Sequence, residues 1–225
     1  MLGTRMCALL GVLLVLVPAA SADVIVDLVD LRGYDSGWSA VLANSADNAI
    51  VVDWVADGTL VVEIMKTLRA PPSVGRSAAN VIEFVQRLDD AATTATIVVT
   101  DEVIRNRTDE DWLDYHWEVE GPAVALNRTA TEASSFSVAP FTQAAWGAPP
   151  SGWGADHAGS LDVSAGIVPP GGHFLPGLHT GGLIVNVDLG QDVSDFALVQ
   201  YPTPEPAAVV LMAVGLLLLP RRRRR

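Results

Sequence analysis

Three polar residues spaced by two, Asp114, His116 and Glu118, are the first group whose types could do chemistry. In an extended strand alternate side chains share a face, so two carboxylates would flank an imidazole closely enough to share a proton or a metal. The same alternation is what any half-exposed strand presents opposite its buried face. A second group is His173 and His179 in PPGGHFLPGLHTGG, with His157 as a third imidazole. It lacks a neighbouring carboxylate and a recognised ligand spacing. Asp109-Glu110-Asp111, Asp47 and Asp35 offer oxygens to Ca²⁺ at turns, where acidic residues are more often simply solvated. Gly75-Arg76-Ser77-Ala78-Ala79 lacks the final glycine and the strand-to-helix setting of a nucleophile elbow. No phosphate loop, dinucleotide fingerprint or EF-hand pattern occurs. No catalytic residues and no metal ligands are therefore assigned, and Ca²⁺ is the one cofactor the acidic turns leave open.

Six tryptophans offer a different chemistry, because an exposed indole face stacks on the C–H face of a sugar. Trp146 and Trp153, in the Gly/Pro-rich loop AAWGAPPSGWGADHAG, are the candidate sugar-binding pair. Trp117 and Trp54 are expected in the core, where most tryptophans of a β-sandwich lie.

The elements that must position these residues are short apolar runs broken by Gly, Pro, Asn and Asp, without long helical periodicity. The strongest local signal is Ile50 to Ala56, Asp57-Gly58, then Thr59 to Leu68. Asp-Gly takes the positive φ values of a type I′ turn, so this reads as a β-hairpin. Val24 to Val29, Gly37 to Ala43 and Thr94 to Ile104 are further strands, and Asn80 to Leu88 reads as strand rather than helix. In Trp112 to Val119, Leu113, Tyr115, Trp117 and Val119 form the expected core face, and Trp112, Asp114, His116 and Glu118 the outer one. Strands are also expected near 136 to 139, 160 to 168, 182 to 189 and 195 to 201. About ten or eleven strands with no cysteine in the body predict an all-β fold, a two-sheet antiparallel β-sandwich of jelly-roll or immunoglobulin-like topology.

Both ends carry targeting signals. Residues 1–22 combine a basic start at Arg5, an apolar run from Cys7 to Val17 and Ala20-Ser21-Ala22 as a small-residue cleavage site with Ala20 and Ala22 at its key positions, which reads as a signal peptide. The only cysteine, Cys7, leaves with it, so the exported body has neither disulfide nor thiolate ligand. Residues 204–225 hold Pro204-Glu205-Pro206, an apolar run over 207–219 and the basic cluster Arg221, Arg222, Arg223, Arg224 and Arg225. Apolar side chains favour the bilayer and arginines hold their end in the cytoplasm, which predicts a single membrane helix. At about 1.5 Å per residue the run reaches only roughly 20 Å, against about 30 Å of hydrocarbon. A tail this marginal suits temporary retention followed by processing.

Between the two ends lie residues 23–203, the size of one domain. This body carries 8 Lys and Arg against 25 Asp and Glu, a formal charge of −17, whereas the whole chain carries −12. Such a surface repels nucleic acid and favours solubility.

The order Pro204-Glu205-Pro206, apolar helix, terminal arginine cluster resembles the PEP-CTERM sorting domain of Gram-negative bacteria. The resemblance implies recognition by an integral-membrane exosortase, cleavage near the motif, and delivery into a surface or exopolysaccharide-associated layer. The segment from Ile97 to Gly121 also resembles part of other PEP-CTERM ectodomains: a strand, an Asn-x-Thr turn and a strand entered through tryptophan. Asn106-Arg107-Thr108 and Asn127-Arg128-Thr129 match the N-glycosylation pattern, for which a bacterial export route has no evident use. The reading that results is an exported, non-catalytic cell-surface or matrix protein. It is first cut by signal peptidase, held transiently at the inner membrane, and then sorted by an exosortase. The alternative is a carbohydrate-binding module using loop tryptophans, with exopolysaccharide as ligand.

Overall fold

The computed structural model describes residues 23–43, 45–70, 77, 80–191 and 195–203. The expected signal peptide, the PEP motif, the apolar run and the arginine cluster lie outside these residues, as does most of Gly75 to Ala79. Among the described residues no helix is long and apolar enough to cross a membrane.

Two sheets face each other, as expected of a β-sandwich. The first contains β1 (Val24–Val29), β2 (Asp35–Leu42), β5 (Val81–Gln86), β7 (Trp112–Glu120), β9 (Gln143–Trp146), β11 (Ser160–Val168) and β14 (Asp195–Tyr201). Their spatial order is β1-β2-β5-β14-β7-β11-β9. The second contains β3 (Asn48–Ala56), β4 (Thr59–Leu68), β6 (Thr96–Asn106), β8 (Val124–Asn127), β10 (His157–Ala158), β12 (His173–Phe174) and β13 (Leu183–Val187). Its order is β10-β8-β13-β6-β4-β3, with β12 paired to β6. One short helix, α1 (Arg128–Ala133), follows β8, its first turn capped by the Asn127 side chain.

The hairpin β3–β4 forms where Asp57-Gly58 predicts it, with φ of 51° and 71° at those two residues. The sheets are not wholly antiparallel. β4 and β6 run parallel, from Thr59 opposite Thr96 to Leu68 opposite Asn106. The cause is connectivity: the chain leaves the second sheet after Leu68, lays β5 into the first sheet, and returns, a crossover that parallel neighbours require.

Between the sheets, Leu60, Val62, Ile64, Ile97 and Val99 meet Trp38, Phe84, Tyr115, Trp117 and Phe196, all nearly or fully buried. Phe84 and Phe196 stack at 4.8 Å, Trp38 meets Phe196 edge-on at 5.4 Å, and Tyr115 meets Trp117 at 4.9 Å. The Trp38 indole N–H donates to the Thr94 carbonyl at 2.9 Å, so this buried polar atom keeps a partner.

Two side-chain placements and one strand differ from the sequence expectation. Trp54 is not core: it is 37% exposed. Strand pairing slips between Val52 and Trp54, and one extra residue turns every following side chain to the other face, which buries Val55 instead. Trp112 is fully buried although it belongs by alternation to the outer face. Its pairing partner is Val168, and the ladder slips between Ser164 and Val168 around Ala165, whose φ is 59°. Residues 136 to 139 are not a strand: the ladder next to β11 starts at Gln143, beyond Pro140, which has no N–H to give it.

Candidate functional site

β7 lies between β14 and β11 in the first sheet, so its outward side chains meet those of both neighbours. His116 stands opposite Asp162 on one side and Tyr201 on the other. Asp114, His116 and Glu118 do share the outer face, as their spacing predicts, while Tyr115 and Trp117 point inward. Their partners come from elsewhere in the chain. His116 Nδ1 lies 2.6 Å from Asp162 Oδ1, and its Nε2 lies 3.2 Å from Thr203 Oγ1. Thr203 donates its backbone N–H to Asp114 Oδ1 at 2.8 Å and its hydroxyl to Asp114 Oδ2 at 2.6 Å. Tyr201 stacks on the His116 ring at 5.2 Å and donates its hydroxyl to Glu118 at 2.8 Å.

Charge decides what this cluster does. Burial works against the charge on His116, but the hydrogen bonds and charges of Asp114 and Asp162 outweigh it and raise its pKa above 6.5. Burial likewise opposes ionisation of Asp114, and the hydrogen bonds from His116 and Thr203 outweigh it and lower its pKa. Thr203, His116 and Asp162 follow the order nucleophile, base, orienter. Yet the Thr203 hydroxyl donates to Asp114 rather than to the imidazole, so the geometry ties Thr203 to that carboxylate. The arrangement is a charge clamp around Thr203, the residue immediately before Pro204.

The other candidates are dispersed. His173 Nε2 accepts from Arg105 at 3.1 Å, His179 gives its backbone N–H to Asp101, and His157 lies beside Asp156 and Asn186. Among the described residues no three His, Cys, Asp or Glu side chains converge as metal ligands. Of the acidic turns considered for Ca²⁺, Asp35 is paired with Arg87 at 2.6 Å and Asp47 with Arg69 at 2.8 Å. The two glycosylation-like asparagines are structural. Asn106 is fully buried, and Asn127 caps α1.

Trp146 and Trp153 are both half-buried and tied to different neighbours. The Trp146 indole N–H donates to Glu132 at 2.9 Å, and its ring lines a cleft of about 200 Å³ with Phe136, Leu161 and Arg128. Trp153 packs against the His157 ring at 4.5 Å.

A polar group inside the sandwich completes the chemistry-bearing residues. Glu102, fully buried, accepts from the Trp117 indole at 3.1 Å and from the Gln200 amide, while Lys66 reaches the Asn80 carbonyl at 2.9 Å. Burial pushes Glu102 up to about 7, against the hydrogen bonds of Gln200 and Trp117 and the charge of Lys66. It pulls Lys66 down to about 7, against the charge of Glu102. The alternation Leu60, Val62, Ile64, Lys66, Leu68 carries the signal for the buried lysine. No local pattern marks Asp162 and Thr203, whose partners are 46 and 87 or more residues away.

Comparison with family models, curated proteins and solved structures finds no match for this chain.

Proposed function

We propose that this chain is an exported, non-catalytic cell-surface or matrix protein, held briefly at the inner membrane by its C-terminal helix and processed near Pro204-Glu205-Pro206 by an exosortase-type enzyme. The signal-peptide pattern of residues 1–22 and the three-part tail of residues 204–225 point to that route. The observation that carries it furthest is how the residue immediately before the motif is held. β14 lies inside the first sheet between β5 and β7, and Thr203, the residue immediately before the motif, is tied to Asp114.

Intact mass of the protein recovered from its native envelope and medium tests this. A species starting near Asp23 and ending within residues 204–206, with or without an added group, is the expected result. A species that keeps the five arginines would make the tail a plain anchor and sink the sorting route.

The cleft beside Trp146 favours a second reading, carbohydrate binding. The indole is fixed by Glu132, and Arg128 and Glu132 offer polar contacts at its rim. At about 200 Å³ it is smaller than the roughly 300–1,000 Å³ of drug-sized sites, so it suits one terminal sugar ring. Quenching of tryptophan fluorescence by exopolysaccharide fragments, lost in Trp146→Ala, is its expected signature. No quenching across neutral and acidic glycans would leave the sorting reading alone.

A further inference from the structure

The last three described residues are each held in a different way. Tyr201 stacks on His116, Pro202 is buried, and Thr203 presents both of its donors to one carboxylate. Two hydrogen bonds to the two oxygens of a single group fix orientation as well as position. Behind that carboxylate, His116 bonds Asp162 and lies 3.6 Å from Asp114 Oδ1, so the gripping group is itself held. Strand pairing does not require this arrangement, because the β14 ladder with β7 ends at Tyr201 opposite His116.

We propose that Asp114 is a positioning residue for tail processing: by clamping Thr203, with His116 and Asp162 as its support, it fixes the point from which the sorting motif starts. The proposal rests on the sorting reading above. Its physical content is a length. From a clamped Thr203, the three residues Pro204-Glu205-Pro206 span at most about 10 Å before the apolar run begins at Ala207. If the clamp is removed, the chain is free from Thr203 onward, and four residues span at most about 14 Å. An enzyme bound to the membrane then meets a motif whose position and orientation vary. Loss of a near-attack geometry slows a bond-breaking step without touching the residues that do the chemistry. The clamp also ties Thr203 into the fold beside the buried Pro202, which denies other proteases the extended segment they need.

The test uses the full chain produced in its native host, with processing followed by pulse labelling and the C-terminus read by intact mass. Asp114 lies 90 residues upstream of Pro204, so altering it leaves the motif unchanged. Asp114→Ala is expected to slow the appearance of processed protein about tenfold and to give ragged ends that include cuts at or before Thr203. Asp114→Asn, which keeps one acceptor for the Thr203 N–H, should fall between that variant and wild type. Asp53→Asn, on the exposed side of the second sheet, should process normally. Thr203→Val serves as the second probe should Asp114→Ala not accumulate, since it removes the hydroxyl contact without entering the core. Wild-type rate and a single end in Asp114→Ala or Thr203→Val would overturn the positioning role and leave the sorting route standing. A wild-type chain that retains its five arginines would remove both.

Discussion

Asp114 and Thr203 are joined twice, through the amide N–H at 2.8 Å and the hydroxyl at 2.6 Å, and His116 lies against the same hydroxyl. The groups facing the imidazole are Asp114 on its own strand, Asp162 from β11, and Tyr201 and Thr203 from the end of β14, with Glu118 bonded to the Tyr201 hydroxyl. The folded state therefore binds the imidazole proton more tightly than the unfolded chain does. That stabilisation is complete below pH 6.5 and is lost as pH rises through the higher folded pKa. Asp162→Asn takes away one of the two carboxylates. Its His116 ring should titrate at lower pH in an NMR titration, and its stability should decline earlier on the alkaline side. A ring that titrates as in wild type would show that Asp162 contributes nothing to the clamp.

Lys66 and Glu102 predict an unusual pH profile. Between pH 4.5 and about 7 the folded state holds more protons than the unfolded chain because Glu102 stays protonated, so stability falls as pH rises. Between about 7 and 10.5 the unfolded chain holds more, because Lys66 is protonated only there, so stability rises again. The pair thus contributes a minimum near neutrality. The double variant Lys66→Met, Glu102→Gln should flatten it and, at pH 7, be unchanged or more stable by about 1–4 kcal/mol. Thermal melts of both proteins from pH 5 to 9 test this, and parallel curves would refute it.

Asn106 ties the corner between β6 and β7. Its amide donates to the carbonyls of Glu110 and Val168, both at 2.9 Å, and its oxygen accepts from the backbone N–H and hydroxyl of Thr108. Asn106→Ala leaves these groups without their partner and should cost about 3 kcal/mol in denaturant unfolding. Thr108→Val, which removes one hydroxyl, should cost about 1 kcal/mol. Equal effects from the two would mean that the asparagine is not the hub.

Much of the fold was legible because strand signals are local. Asp57-Gly58 specifies its turn through backbone preference alone, and Asp114, His116 and Glu118 share a face through alternation alone. The errors arise where one residue interrupts the period. Trp54 reads as inward until the slip beyond Val52 reverses its face, and Trp112 reads as outward until the slip at Ala165 is known. The parallel pairing of β4 with β6 depends on which sheet β5 joins, a choice made by packing between distant segments. The candidate cluster was half legible for the same reason. Its Asp-x-His spacing lies in one strand, but Asp162 and Thr203 arrive through the tertiary fold.

Asp30 shows how the free edge of the second sheet is protected. β3 is the terminal strand of that sheet, and an unpaired edge invites pairing with another chain. Here the turn between β1 and β2 folds over it. The Asp30 carboxylate, with its side chain wholly buried, accepts the Val55 N–H at 3.2 Å, and the Arg32 guanidinium donates to the Val55 carbonyl at 3.3 Å. Together the two side chains occupy both hydrogen-bonding groups of one edge residue, as a neighbouring strand would. Burial opposes the charge on Asp30, but the hydrogen bonds from Arg32, Tyr34 and Val55 outweigh it and lower its pKa to about 2. A depressed carboxylate pKa stabilises the fold fully above 3.8 and ceases to do so as pH falls through about 2. Asp30→Asn removes the charge that holds Arg32 across the edge. The variant should therefore be less stable than wild type at neutral pH, with the gap closing below pH 3. It should also self-associate at concentrations where wild type does not, because Val55 is again open to a partner strand. Size-exclusion chromatography with light scattering over a concentration series reads the second effect. A variant as monomeric as wild type would show that the Asp30–Arg32 pair stabilises the turn without guarding the edge.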